Sequence, residues 1–189
     1  DILVMNDASS DNTNWIVKAR HHAVVTHVFN LGYGSALQLG YKYAIRCNYR
    51  YVIQMDADGQ HLPDDMEKLL MKVPTDPMAL VIGTRTIDKN IPWKSQMGNL
   101  ITRKAFRLAT GVEVSDTQTG MRAFSARLLG FMSNIQGERY EYEMNVLVTC
   151  AKARVPIIEV LIQTIYHDKE NSCSHFRKYV IPCGYADSC

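Results

Sequence analysis

The sequence predicts an α/β fold with a mostly parallel central sheet flanked by helices. Two observations carry the prediction. Apolar, β-branched runs alternate with helix-patterned runs along most of the chain, the arrangement that crossover βαβ units produce. The ends of those apolar runs also carry Gly, Asp, Asn and Ser, residue types suited to the sheet edge where open α/β proteins bind ligands. The composition agrees. The 189 residues are 47% hydrophobic and 21% charged, which is ordinary for one globular domain with a sizeable core.

The elements follow in order. Residues 2–5 are an apolar strand, and the chain opens so abruptly on it that a trimmed sequence lacking its first strand is expected. A helix over 12–20 leads to a strand over 23–29, and a helix over 34–47 to a strand over 51–55. Pro63 is well placed in the first turn of a helix over 63–72, which precedes a strand over 80–83. The polar stretch 84–95 reads as a long surface loop. The helix over 94–109 places Met97, Leu100, Ile101, Ala105, Leu108 and Ala109 at amphipathic spacing beside Lys94, Arg103, Lys104 and Arg107. Its ordinary reading is a core-facing helix with a solvated basic side; a membrane-surface helix is the alternative. Helices over 127–132 and 140–153 and a strand over 156–166 complete the pattern. One domain over 1–177 and an unassigned tail over 178–189 result.

Several classes of function are excluded. A net charge of +2 gives no bulk field to hold nucleic acid. No run approaches the ~20 apolar residues of a membrane span. Five cysteines without a CxxC fit a reduced, cytoplasmic setting. The tail's Cys173, His175, Cys183 and Cys189 match no standard zinc-finger spacing.

Three motifs carry chemistry. Asn6-Asp7-Ala8-Ser9-Ser10-Asp11-Asn12-Thr13 follows the first strand. Its acids can accept hydrogen bonds from a base or ribose, or can simply form an Asx turn and helix cap. For Asp7 the binding role is favoured. Asn30-Leu31-Gly32-Tyr33-Gly34-Ser35-Ala36 follows the second strand, and its glycines permit close backbone approach. The spacing imitates a dinucleotide fingerprint, with Asp56 as the later acid, so an oxidoreductase is one alternative; Leu37 stands, however, where the third glycine belongs. The third motif decides between them. In Val52-Ile53-Gln54-Met55-Asp56-Ala57-Asp58-Gly59-Gln60-His61 a buried-type strand runs into two carboxylates one residue apart. In extended chain these share a face, and their repulsion is relieved by a hard divalent ion bridging to a diphosphate.

The order of these motifs, followed by Ile82-Gly83-Thr84-Arg85, Asp116-Thr117-Gln118-Thr119-Gly120-Met121-Arg122 and Tyr140-Glu141-Tyr142-Glu143, resembles the inverting family 2 glycosyltransferases of GT-A fold. Among these it is most similar to dolichyl-phosphate mannose synthases and bacterial polyprenyl-phosphate sugar transferases. The resemblance implies nucleotide-sugar contacts at Asp7, Ser9, Asn30, Gly32, Gly34, Asp56, Ala57, Asp58 and Arg177. It implies Mg²⁺ or Mn²⁺ on Asp58 and Gln60, with Asp56 shared between metal and ribose. Arg85, Arg103 and Arg122 would meet an acceptor phosphate, and Asp58, Arg85, Asp116 and Arg122 would form the catalytic set.

The implied reaction is one in-line displacement from a UDP- or GDP-sugar. A polyprenyl-phosphate acceptor is already anionic and needs cations rather than a base. A saccharide hydroxyl needs a base, for which Asp116 is the candidate. The implied location is the cytoplasmic face of a membrane. The chain departs from the family pattern in lacking the usual opening strand and in carrying Ala8 where glycine is commoner. A catalytically inert nucleotide-binding module is the remaining alternative.

Overall fold

The computed structural model of the chain describes residues 1–85, 93–163 and 178–183, with backbone alone at 93–96 and 178–183. The strands are β1 (Leu3–Asn6), β2 (Ala23–Thr26), β3 (Tyr51–Asp56), β4 (Leu80–Arg85), β5 (Arg122–Ser125), β6 (Ile157–Ile162) and β7 (Lys178–Cys183). The helices are α1 (Thr13–Ala19), α2 (Tyr33–Arg46), α3 (Pro63–Leu70), α4 (Trp93–Thr110), α5 (Ala126–Met132) and α6 (Glu141–Lys152).

The strands form one sheet in the order β2-β1-β7-β3-β5-β4-β6. β1 pairs with β2, and β4 with β6, in parallel. β5 and β7 run against their neighbours. Five strands therefore share one direction, as the alternating pattern predicts, and two strands absent from that prediction are inserted antiparallel. The C-terminal ends of β1, β2, β3 and β4 lie along one sheet edge, which brings the three motifs to that edge.

Both inserted strands are hard to read locally. β5 has four residues, all buried, and so shows no alternation; it runs directly into α5, whose first turn is capped by Ser125 Oγ accepting from the Arg127 N–H at 3.2 Å. β7 places residues 178–183, the first half of the stretch left unassigned from sequence, in the sheet. It lies between β1 and β3, with Pro182 opposite Val52. A proline in the run argues against an interior strand, and for that reason it escaped the pattern.

Two clusters cover the faces of the sheet. Leu3, Met5, Val52, Leu80, Ile82 and Phe124 pack with residues of α2, α5 and α6. Ile53, Val81, Ala123 and Met121 pack with Leu69 of α3 and Val73. The period of two along β3 thus sends Val52 and Gln54 to the first face and Ile53 to the second. Buried Cys47 and Cys150 are free thiols, and burial pushes the Cys150 thiol up to about 11, as befits an inert packing residue. Cys173, His175 and Cys189 lie outside the described residues.

One expectation is reversed. The apolar residues that the spacing of α4 aligned do not face the core. Phe106 does so, while Met97, Leu100, Ile101 and Leu108 are exposed. Asn99, Thr102 and Arg103 hold the helix to residues 114–117 instead. Asn99 Nδ2 donates to the Ser115 carbonyl at 3.5 Å, and Arg103 Nε to the Val114 carbonyl at 3.1 Å. The Thr102 and Thr117 hydroxyls lie 2.9 Å apart.

Candidate active site

Asp7 stands at the end of β1 and organises the neighbouring turn. Its Oδ1 accepts from the Leu31 N–H at 2.9 Å and its Oδ2 from the Gly32 N–H at 2.8 Å. His27 Nδ1 lies 2.7 Å from Oδ1, and Asn30 Nδ2 donates to the Asp7 carbonyl at 3.2 Å. β2 stops at Thr26 because the next residue turns to meet this carboxylate. His27 is thus part of the cluster; its position at the next strand end was the available signal. The preceding backbone is tight, for Ala8 adopts φ 53°, a left-handed conformation that glycine reaches without penalty. The Ser9 N–H donates to Asn6 Oδ1 at 3.1 Å. Asp11 Oδ1 accepts from the Thr13 N–H at 3.0 Å, so Asp11 forms the Asx turn that starts α1.

The glycines of the second motif take a steric role within the fold. A Cβ on Gly32, whose φ is +100°, would lie 2.4 Å from the Glu138 carbonyl oxygen, and one on Gly34 would lie 2.6 Å from Tyr142 Cβ. The close approach these glycines permit is to the chain's own 137–142 segment. The same segment leads into α6, and Glu141 Oε1 accepts from the Glu138 and Arg139 N–H groups, each at 3.1 Å. The first-turn acid Glu141 therefore ties down the turn that precedes the helix. Glu143 points inward and accepts from the Tyr33 hydroxyl. Burial, then the Glu143 and Asp56 carboxylates, push the Tyr33 phenol well above its ordinary range.

The third motif opens on a small cleft lined by Asp56, Gln60, His61, Arg85, Gln118, Thr119 and Gly120. Asp56 sits so close to Gly120 that a Cβ there would lie 2.3 Å from Asp56 Oδ2 and 2.7 Å from its Cγ. Gln54, one residue pair back along β3, donates through Nε2 to the Gly120 carbonyl at 3.3 Å and accepts from the Tyr41 hydroxyl. Asp58 lies beyond the lining residues, with Oδ1 accepting from the Gln60 N–H at 3.0 Å. Among the described residues no three His, Cys, Asp or Glu side chains converge to hold a metal unaided. Two carboxylates at one strand end nevertheless fit a hard ion of the kind that takes one or two carboxylates and completes its shell with water and substrate phosphate.

Arg85 closes the other side of the cleft. Its Nε and Nη2 donate to Asp116 Oδ2 and Oδ1 at 2.5 and 3.0 Å. The Asp116 side chain is only 3% exposed, and its Oδ1 also accepts from the Gln118 N–H at 2.9 Å. The segment carrying it is gripped from α4, as above, and from β6, where Glu159 accepts from the Ser115 N–H at 2.7 Å. Asn99, Thr102 and Glu159 had no local signal, since each is a polar residue on a regular element whose partner is set only by the fold.

Three further arginines were expected at the site. Arg122 is 1% exposed and does not reach out to an acceptor. β5 turns it to the face covered by α2 and α6, where Nη1 donates to the Glu143 carbonyl at 3.0 Å and Nε to the Thr119 carbonyl at 3.4 Å. It supports the site from below. Arg103 is half-buried and bound to the Val114 carbonyl. Arg177 lies outside the described residues.

A mixed sheet in which five of seven strands share one direction, with acids, an asparagine and an arginine gathered at the C-terminal edge of those strands, is the arrangement of an α/β nucleotide-diphospho-sugar transferase of GT-A type. Residues 1–132 match the glycosyl transferase family 2 model, and the chain belongs to that family, which removes the oxidoreductase alternative. A UDP-N-acetylglucosamine–dolichyl-phosphate N-acetylglucosaminyltransferase of Methanococcus voltae is 32% identical over 188 residues, with 88% of this chain and 75% of that protein covered. An undecaprenyl-phosphate mannosyltransferase of Micrococcus luteus is 28% identical, covering 86% of this chain and 70% of that protein. Among solved structures, glucosyl-3-phosphoglycerate synthase of Mycobacterium tuberculosis, in complex with Mn²⁺ and UDP-glucose, matches at a TM-score of 0.67 and 19% identity. That match covers 88% of this chain but 59% of the synthase chain, and shows the shared fold.

Proposed function

We propose that this chain transfers a sugar from a UDP- or GDP-sugar to a polyprenyl phosphate by an inverting displacement, at the cytoplasmic face of a membrane. The observation that carries the reading is the Arg85–Asp116 fork at the edge of the Asp56 cleft. Asp116 is the candidate base for a hydroxyl acceptor, yet its two oxygens already accept three hydrogen bonds in a buried position. A carboxylate so committed is poorly placed to take a proton. What it does supply is a fixed guanidinium beside the cleft, and planar guanidinium is suited to phosphate. An anionic acceptor needs that cation and no base. The two relatives named for dolichyl-phosphate and undecaprenyl-phosphate acceptors support the same choice.

On this reading Asp7 shapes the pocket for the base through the Leu31 and Gly32 turn, with Ser9 and Asn30 beside it. Asp56 orients the ribose end of the donor. Asp56, Asp58 and Gln60 would hold Mg²⁺ or Mn²⁺, which when bound offsets charge on the leaving diphosphate. Arg85 draws the acceptor phosphate toward the anomeric carbon. Arg122 ties the Thr119 carbonyl beside the cleft to the Glu143 carbonyl at the start of α6.

The test is transfer from labelled UDP-N-acetylglucosamine, UDP-glucose and GDP-mannose to short-chain polyprenyl phosphate, polyprenol and a free saccharide. Transfer to the phosphate alone is expected. Transfer to the saccharide, abolished in Asp116→Asn, would overturn the choice of acceptor. Diphosphate binding without transfer to any acceptor would favour the inert module.

A further inference from the structure

We propose that the outward face of α4 is a docking surface for an anionic lipid bilayer; the inference rests on the lipid-phosphate reading above. Successive helical steps place positions 97, 100, 101, 104, 105 and 108 on one stripe. Met97 is 51% exposed, Leu100 49%, Ile101 62% and Leu108 89%, while Phe106 on the opposite side is 2% exposed. Scattered apolar residues on a surface are normal, but a continuous stripe along one helix marks a site of contact.

Charge names the occupant. Across its 18 residues α4 carries Lys94, Arg103, Lys104 and Arg107 and no Asp or Glu. Lys104 falls within the apolar stripe and Arg107 at its border; both are exposed. A lysine at the centre of an apolar face is unfavourable in a dry protein interface, from which lysine is depleted. It suits a bilayer surface, where the stem lies along acyl chains and the ammonium reaches the headgroups. Arg107 has Glu113 at 3.4 Å, with both side chains about two-thirds exposed. Such a pair is weak in water and leaves the arginine available to lipid phosphate.

The placement has a mechanical consequence. The inner side of α4 holds residues 114–117, and through them Asp116 and Arg85. A bilayer against the outer side would therefore lie about one helix diameter, ~10 Å, from the segment that positions Arg85. That is a suitable distance for a headgroup phosphate to enter the cleft while its chain stays in lipid.

Co-sedimentation with phosphatidylcholine vesicles, with and without phosphatidylglycerol, tests the surface directly. Binding to the phosphatidylglycerol vesicles and little to phosphatidylcholine alone is expected. Leu100→Ser with Leu108→Ser should weaken binding at least about tenfold, and Lys104→Glu roughly thirtyfold, with thermal melting unchanged because all three residues are exposed. The variants should keep wild-type transfer to a short-chain, water-soluble polyprenyl phosphate. Absence of binding to anionic vesicles, or equal binding by the variants, overturns the proposal. So does a shift from dimer to monomer in Leu100→Ser/Leu108→Ser without a change in vesicle binding, which would make this face an interface between copies. Vesicle binding as expected, with no transfer to the short-chain phosphate, would instead leave the surface standing and refute the acceptor.

Discussion

Replacing Gly120 with alanine probes the geometry of the cleft with a single methyl group. The added Cβ would lie 2.3 Å from Asp56 Oδ2, 2.7 Å from Cγ and 2.8 Å from Oδ1, where ordinary contact begins at 3.4 Å. The Asp56 carboxylate or the 118–120 backbone must retreat by about 1 Å to relieve the closest contact. The backbone is not free to do so, because Gln54 holds the Gly120 carbonyl and Arg122 the Thr119 carbonyl. The carboxylate must therefore move. Overpacking of this kind costs about 1–3 kcal/mol, and displacing a substrate-positioning group by about 1 Å costs roughly a hundredfold in rate. The assays are thermal or urea denaturation, diphosphate binding with and without Mn²⁺, and kcat/KM for sugar transfer. The Asp56→Ala background supplies the control, since without the carboxylate the methyl meets no obstacle and Gly120→Ala should cost under about 0.5 kcal/mol. If Gly120→Ala left donor binding and transfer at wild-type levels, Asp56 would not be a donor-positioning residue. If it cost as much in Asp56→Ala as in the wild type, the steric account would be wrong.

Three further outcomes follow from the same structure. Arg85→Lys loses the fork on Asp116 and should lower kcat/KM roughly a hundredfold, together with about 1–3 kcal/mol of stability from the under-bonded buried carboxylate; unchanged kinetics would remove Arg85 from the acceptor site. Ala8→Gly relieves the left-handed backbone at φ 53° and should raise stability by about 0.5 kcal/mol, the steric gain exceeding the unfolded-state entropy of glycine; a lower melting temperature would contradict it. The Glu141 carboxyl is held below its ordinary value by N–H groups of its own residue, Arg139 and Glu138. Its contribution to the turn before α6 is thus fully present above the unfolded-state value and lost as pH falls through the lowered folded value, so the melting temperatures of wild type and Glu141→Gln should differ at neutral pH and converge in acid. A gap independent of pH would show that the charge plays no part.

The elements that sequence made legible are those whose signal is local. The helices over 34–47 and 63–72 and the strand over 51–55 appear within two residues of their expected ends, because periodicity, Pro63 and flanking polar residues all act within the element. β5 and β7 were illegible because each is defined by its neighbours. Arg122-Ala123-Phe124-Ser125 becomes a strand by filling the slot between β3 and β4, and a buried strand need not alternate. α4 misled for a related reason: its spacing identified an amphipathic helix, but spacing cannot say whether the apolar side meets the core or a partner outside. At the site, motif order brought out Asp7, Asp56 and Arg85. The partners that fix them act across the fold: Glu159 left no local trace, His27 showed only its place at a strand end, and Gly120 only its place in the motif around Asp116.

Those partners also change what the motif around Asp116 does. Residues 114–122 were expected to supply a catalytic acid and an acceptor arginine. In the fold they form a brace. Asp116 fixes Arg85, Gly120 leaves room for Asp56, and buried Arg122 ties Thr119 to the start of α6. One segment thus sets the separation between Asp56 and Arg85, the acid and the cation proposed to meet the donor and the acceptor. It is held in turn by α4 on one side and by Glu159 of β6 on the other. In-line displacement between two anionic reactants depends on that separation more than on any proton transfer. Substitutions that loosen the brace, such as Glu159→Ala, should therefore reduce kcat with little change in diphosphate affinity. A base-catalysed reaction through Asp116 would instead lose its rate in a pH-dependent manner.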